Sequence, residues 1–77
     1  MKGIMDMKSY MTREETLHFK SEMVRAGFTV GSLALALNMS RTTLTSRITG
    51  KTDFSKLEME RIATLFSKPP EDIFFAA

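Results

Sequence analysis

Residues 29–50, TVGSLALALNMSRTTLTSRITG, predict two short helices joined by a tight turn. Thr29 is a typical N-cap residue, and the apolar residues after it recur at the spacing of one helical face. Asn38 favours the left-handed backbone that ends a helix, and Ser40 caps a second helix directly afterwards. The inward-facing positions of the two helices are Val30, Leu33, Ala34, Leu37, Leu44 and Ile48.

The second of these helices has a polar outer face. Its outward positions are Arg41, Thr42, Thr45 and Ser46. An arginine among small hydroxyl side chains suits the edges of bases in a DNA major groove. The segment therefore predicts a helix-turn-helix whose partner is double-stranded DNA.

Charge is distributed unevenly along the chain, although the formal net charge of the 77 residues is only +2. Residues 23–52 contain no acidic residue and four basic ones, Arg25, Arg41, Arg47 and Lys51. Residues 1–22 balance to zero, and residues 53–77 hold five acidic residues against three basic ones. The predicted helix-turn-helix is thus the positive end of a nearly neutral molecule, which favours contact with phosphate. Arg25 is expected to be a solvated surface residue.

The remaining sequence predicts an all-α domain, a compact bundle of about five short helices, over residues 12–77. A capping box of Thr12 with Glu15 marks the start of the first helix. Residues 1–11 show no helical or strand period, so they are interpreted as a flexible N-terminal lead-in. A basic arm that touches DNA is the alternative interpretation of that segment.

The other helix boundaries follow from capping residues, glycine and proline. Gly27 is expected to end the first helix, and Ser55 with Glu58 forms a second capping box that opens the fourth. Pro70 fits the first position of a final short turn that ends near Phe74. The further positions expected in the core are Phe19, Met23 and Ala26, with Leu17 and Val24 on the flanks of that stripe, and then Leu57, Met59, Ile62, Ala63 and Phe66.

Several functional classes find no support in the sequence. No window approaches the roughly 20 apolar residues of a membrane helix, and residues 1–8 lack the long apolar run and small-residue cleavage site expected of a signal peptide. The chain has no cysteine, so it has neither disulfides nor thiolate metal sites, which suits the cytoplasm. The single histidine, His18, has no second ligand at metal spacing. We expect no enzyme, no metal, no cofactor and no small-molecule substrate.

Residues 28–51 resemble the DNA-binding domain of phage repressors of the Cro and cI type, the lambda-repressor-like family. The residues that carry the resemblance are Leu33-Ala34, Asn38-Met39-Ser40, Leu44, Gly50-Lys51, Ile62-Ala63, Phe66 and residues 70–74. Together these motifs stand in register over about residues 13–75. The resemblance implies a sequence-specific transcriptional regulator that acts as a repressor.

The chain departs from the family pattern at four positions. Many relatives carry a buried arginine–glutamate pair where this chain has Met23 and Ile48. Exchange of both partners for apolar residues is the tolerable change, because neither charge is left alone. Lys68 and Arg47 stand where an apolar residue is common, so the packing of their neighbours is harder to predict.

The docking mode of such a domain assigns roles to individual residues of the helix at about residues 41–49. Its base readers would be Arg41, Thr42 and Ser46. The candidates for phosphate contact are Thr29, Val30, Thr43, Arg47, Thr49, Gly50 and Lys51. A base-reading arginine grips guanine through two hydrogen bonds, and the alternative for Arg41 is a contact with phosphate or solvent alone.

A single small domain covers few base pairs, so a homodimer that reads a near-palindromic operator is expected. The apolar C-terminal end places a candidate dimer contact at Ile73, Phe74 and Phe75. The alternative is that Ile73 and Phe74 only seal the core. Two other functions stay open: an antitoxin whose main partner is a toxin protein, and a helix-turn-helix used purely for protein interaction.

Overall fold

The computed structural model describes residues 11–74, which form five α-helices and no strand. The helices are α1 (Arg13–Arg25), α2 (Val30–Ala36), α3 (Arg41–Ile48), α4 (Lys56–Phe66) and α5 (Pro70–Phe74). The predicted all-α bundle of five short helices is confirmed. Of the predicted lead-in, residues 1–10 lie outside the described range. Within residues 11–74, no helix combines the length and the apolar character needed to cross a membrane.

Polar side chains start the first four helices, as predicted. The N-cap side chains of Thr12, Thr29, Ser40 and Ser55 each accept a hydrogen bond from the backbone amide three residues further on. Such caps satisfy amides that have no partner inside the helix. The two predicted capping boxes are present, and Ser32 completes a third one with Thr29.

The turn between α2 and α3 has the backbone that its sequence predicts. Asn38 has a φ of 59° and stands in the left-handed region, where asparagine is tolerated. Ser40 then returns to an extended backbone and caps α3. The turn brings α3 back against α2, which forms the predicted helix-turn-helix.

Phenylalanine rings form the centre of the core. The ring of Phe19 lies 5.5 Å from that of Phe54, 5.7 Å from that of Phe66 and 5.6 Å from that of Phe74, between centroids. These contacts join α1 to α4, to α5 and to the loop before α4. Leu33 and Leu44 belong to the same cluster of buried residues, so α2 and α3 are fixed to this core.

One predicted core position is wrong, since Leu57 is 57% exposed. The buried positions of α4 follow the i, i+3, i+4, i+7 spacing from Met59 to Phe66, and Leu57 lies on the other side of that helix. Leu17 and Val24, expected on the flanks of the α1 stripe, are also exposed. Their exposure leaves the α1 stripe narrower than predicted.

Candidate nucleic-acid interface

The inner face and both ends of α3 are fixed, which leaves its outer face for a ligand. Leu44 and Ile48 are buried in the core. At the start of α3, the Ser40 side chain accepts a hydrogen bond of 3.0 Å from the Thr43 amide. At its end, the Thr16 hydroxyl of α1 donates to the Ile48 carbonyl oxygen over 2.6 Å. The orientation of α3 is therefore set by the domain rather than by a ligand.

Gly50 ends α3 at a position that only glycine fits. Its φ of 84° lies in the left-handed region, and a Cβ there would come within 2.6 Å of the Met11 carbonyl oxygen. The chain consequently turns sharply after α3, and Lys51 follows at the rim of the outer face. Met11, the last residue of the predicted lead-in, packs against the core beside this turn.

The outward side chains of α3 line a single shallow, open depression of about 370 Å³. Its lining residues are Arg41, Thr42, Thr45, Ser46, Thr49 and Lys51. The structure thus brings together the three predicted base readers and two of the predicted phosphate contacts. Thr45 lines the depression as its predicted outward position implies, although no particular DNA contact was predicted for it.

The basic residues around α3 differ in whether a carboxylate neutralises them. Arg41 and Lys51 are exposed, and within residues 11–74 neither has an ionic or hydrogen-bonding partner on its side chain. Arg47 instead donates from Nε to Glu58 Oε1 of α4 over 2.8 Å. Arg41 and Lys51 therefore supply the positive charge of the outer face, and Arg47 is largely neutralised.

The environment of Glu58 stabilises its ionised form. Burial by itself raises the pKa of this carboxyl, but hydrogen bonds from the Ser55 amide and from Arg47, with the charge of Arg47, hold the pKa below its ordinary value. Glu58 thus serves both the capping box of α4 and the contact with α3. The ion pair ties the two helices together.

Two predicted phosphate contacts have backbone amides that are already used. The Thr49 amide donates to the Thr45 carbonyl, and the Gly50 amide donates to the Arg47 carbonyl. These hydrogen bonds satisfy the carbonyl end of α3. The Thr49 hydroxyl lines the depression but donates to the Thr45 carbonyl oxygen over 2.8 Å, so Thr49 would have to give up this hydrogen bond to donate to phosphate.

The remaining predicted phosphate contacts lie at the starts of α2 and α3. The Thr43 hydroxyl accepts a hydrogen bond of 2.9 Å from the Ser40 hydroxyl, so it braces the start of α3. The Thr29 amide donates to the Ser32 hydroxyl within the α2 capping box. The Val30 amide belongs to the first turn of α2, where no intrahelical acceptor exists, and it remains a candidate donor to phosphate.

An ion-pair cluster around one buried carboxylate lies where α1 meets the end of α4 and α5, and we call it the Glu22 cluster (His18, Glu22, Arg25 and Lys68). Glu22 is only 6% exposed. Lys68 Nζ lies 3.2 Å from each of its carboxylate oxygens, Arg25 Nε lies 3.7 Å away and His18 Nε2 lies 3.8 Å away. Nothing near Glu22 in the sequence indicates the contact with Lys68, because the two residues meet only in the folded chain.

His18 and Arg25 have structural surroundings at this cluster. His18 Nε2 lies 2.6 Å from the Asp72 carbonyl oxygen and so links α1 to α5. Arg25 is largely exposed beside Glu22, as its interpretation as a surface residue expects. Within residues 11–74, no group of three His, Cys, Asp or Glu residues is arranged to hold a metal ion.

The predicted dimer-contact residues divide between the core and the undescribed end of the chain. Ile73 and Phe74 are buried within the domain, at 0% and 4% exposure. Their placement matches the alternative in which they seal the core. Phe75 lies outside the described residues.

Comparisons of the chain with protein-family models, with curated proteins and with solved structures find no match. The candidate interface therefore depends on the geometry and charge of residues 41–51. Its side chains offer a guanidinium, an ammonium and a row of hydroxyls on one open face. Such groups donate and accept hydrogen bonds and attract anions, which is the chemistry of nucleic-acid contact.

Proposed function

We propose that this protein is a sequence-specific DNA-binding transcriptional regulator, a repressor of the phage Cro and cI type. It reads an operator through α3 in the major groove. One observation carries the proposal: Arg41 and Lys51, which have no ionic partner within residues 11–74, line the same open face as the hydroxyls of α3. A positive, hydrogen-bonding helix face on a rigid support is what groove recognition requires.

The residues of that face divide into base readers and phosphate contacts. Arg41 stands in the first turn of α3, where it donates two hydrogen bonds to guanine. Thr42 offers a hydroxyl or a methyl group, and Ser46 a hydroxyl, to neighbouring base edges. Lys51 at the rim neutralises a phosphate, which positions the domain without reading sequence.

The proposed regulator acts as a homodimer in the cytoplasm. One α3 helix covers only a few base pairs, so two copies would read half-sites about 34 Å apart. Because Ile73 and Phe74 are buried in each copy, the dimer contact falls on other residues. Sedimentation equilibrium with and without operator DNA measures this assembly directly, and a protein that stays monomeric both free and on the full operator would contradict it.

The test of DNA reading is a selection of duplexes from a random pool, followed by binding titrations at several salt concentrations. Arg41→Ala is expected to lower discrimination at one base pair by about 1–3 kcal/mol. Lys51→Ala is expected to weaken binding to all sequences alike. It should also reduce the salt slope, the magnitude of the slope of log binding constant against log salt concentration, by about one. Arg61→Ala is the matched control, since Arg61 is an exposed arginine on α4.

The outcomes separate reading of sequence from simple charge attraction. Loss of discrimination in Arg41→Ala alone supports base reading by α3. Equal weakening by Arg41→Ala and Arg61→Ala, with no preferred duplex, contradicts the proposal. Such a result would mean that DNA binds only through the overall charge of the protein.

An antitoxin is the second candidate function, and one feature outside α3 favours it. A second shallow depression, of about 290 Å³, is lined by Ala36, Arg61, Thr64 and Leu65 on α2 and α4. Arg61 has no ionic partner within the described residues. An apolar surface around an unpaired guanidinium suits a protein partner that carries a carboxylate. Stable copurification with one such protein would favour the antitoxin function.

A further inference from the structure

Gly31, in the first turn of α2, has no conformational reason to be glycine. It lies within a regular helix, and the glycines with positive φ in the described residues are Gly27 and Gly50. Glycine is a poor helix former, because it loses more backbone freedom on folding than other residues do. A glycine at a helical position therefore calls for another explanation, which its surroundings provide.

The surroundings of Gly31 are formed mainly by the side chain of Arg41. A Cβ on Gly31 would lie 3.7 Å from Arg41 Nε, 3.8 Å from Arg41 Cδ and 3.9 Å from Thr29 Oγ1. These are ordinary contact distances, so alanine fits here. A longer side chain that extends from this Cβ toward Arg41 would compete for the space that the Arg41 side chain occupies. Glycine thus leaves the first turn of α2 clear for Arg41 to lie against.

We propose that Gly31 is a positioning residue that sets the direction from which Arg41 reaches DNA. This inference rests on the proposed function, in which Arg41 reads a base. The Arg41 side chain has no ionic or hydrogen-bonding partner among residues 11–74. The first turn of α2 is therefore a neighbouring surface that limits the directions open to the guanidinium. A longer side chain at position 31 displaces the guanidinium from α2 and changes the base that it meets.

The experiment compares Gly31→Ala, Gly31→Gln and Leu35→Gln on a panel of duplexes. The panel varies the base pair at which Arg41→Ala loses discrimination. Leu35→Gln is the matched control, because Leu35 is exposed on the same helix and lines neither depression. Gly31→Ala and Leu35→Gln are expected to keep the wild-type preference. Gly31→Gln is expected to reduce the ratio of affinities for the preferred and the altered duplexes by at least about fivefold. That is the lower end of what a bidentate arginine contributes.

A double variant, Gly31→Gln with Arg41→Ala, tests whether the glycine acts through the arginine. Positioning predicts that Gly31→Gln changes discrimination little once Arg41 is absent, and that the salt slope of the single variant stays at the wild-type value. Wild-type preference in Gly31→Gln, with selective DNA binding intact, overturns the positioning role alone. Absence of selective binding in the wild-type protein overturns the proposed function, and the positioning role falls with it.

Discussion

The outer face of α3 and the Glu22 cluster use positive charge in opposite ways. At the Glu22 cluster, a buried carboxylate holds Lys68, with Arg25 and His18 nearby. On the outer face of α3, Arg41 and Lys51 have no carboxylate neighbour within the described residues. A basic residue therefore marks a candidate DNA surface only where the fold leaves it unpaired. Counting charges along the sequence does not distinguish paired from unpaired basic residues.

The largest change in stability is expected when the cation closest to Glu22 is removed. Lys68→Ala is expected to reduce the free energy of unfolding by about 1–3 kcal/mol, because it leaves a buried carboxylate without its closest cation. Urea denaturation at neutral pH measures the loss. DNA affinity of the folded protein is expected to stay at the wild-type value, since Lys68 is absent from the α3 depression.

The control for this prediction removes both charges together. Glu22→Gln combined with Lys68→Met leaves no isolated charge, so its stability is expected to lie within about 1 kcal/mol of wild type. Lys68→Ala with an unchanged denaturation midpoint would show that the ion pair adds nothing to stability. In that case the Glu22 cluster and the outer face of α3 would differ in how their charges are paired but not in what those charges contribute to stability.

Arg47 is intermediate between Lys68, which is paired with a buried carboxylate, and Arg41, which is unpaired within the described residues. We expect its substitution to have the next largest effect on stability. Arg47→Ala is expected to lower the free energy of unfolding by about 1 kcal/mol, since its partly exposed pair with Glu58 is lost. The pKa of Glu58 is lowered in the folded state, so the pair stabilises the protein fully above the ordinary value of 4.5. That stabilisation disappears as the pH falls through the lowered pKa. Denaturation at several pH values measures the difference in free energy of unfolding between the wild type and Arg47→Ala. This difference is expected to become smaller in acid.

The salt dependence of DNA binding shows whether Arg47 also contacts phosphate. With Glu58 holding the guanidinium, Arg47→Ala is expected to leave the salt slope at its wild-type value. Lys51→Ala provides the comparison, with an expected reduction of about one. A similar reduction in Arg47→Ala would mean that the arginine leaves Glu58 for phosphate when DNA binds.

The sequence predicted those features that depend on neighbouring residues. Capping by Thr12 and Ser55, the left-handed backbone at Asn38 and the outward face of α3 each follow from a few adjacent positions. The partners of Arg47 and Lys68 could not be predicted in this way. Each stands where the resemblance leads us to expect an apolar residue, and each meets a carboxylate from a different helix. Only the tertiary arrangement shows that these departures are neutralised.

The errors in the predicted core also come from tertiary packing. Leu57 was assigned to the core from its apolar character, but the face of α4 that meets Phe19 is defined by Ile62 and Phe66. Phe54 lies in the loop before α4, where no helical period marks it as buried. Its ring nevertheless packs against those of Phe19 and Phe74. A loop residue enters the core because the neighbouring helices leave space for it.

The smallest expected effect on stability belongs to the outer face of α3. Arg41→Ala, Thr45→Ala and Lys51→Ala are each expected to change the free energy of unfolding by no more than about 0.5 kcal/mol, because their side chains are exposed. The same denaturation series that includes Lys68→Ala measures them. Substitutions that alter DNA binding but not stability would separate this face from the structural charges. A loss as large as that of Lys68→Ala would instead make the outer face part of what holds the fold together, and its charge would then have a reason other than DNA.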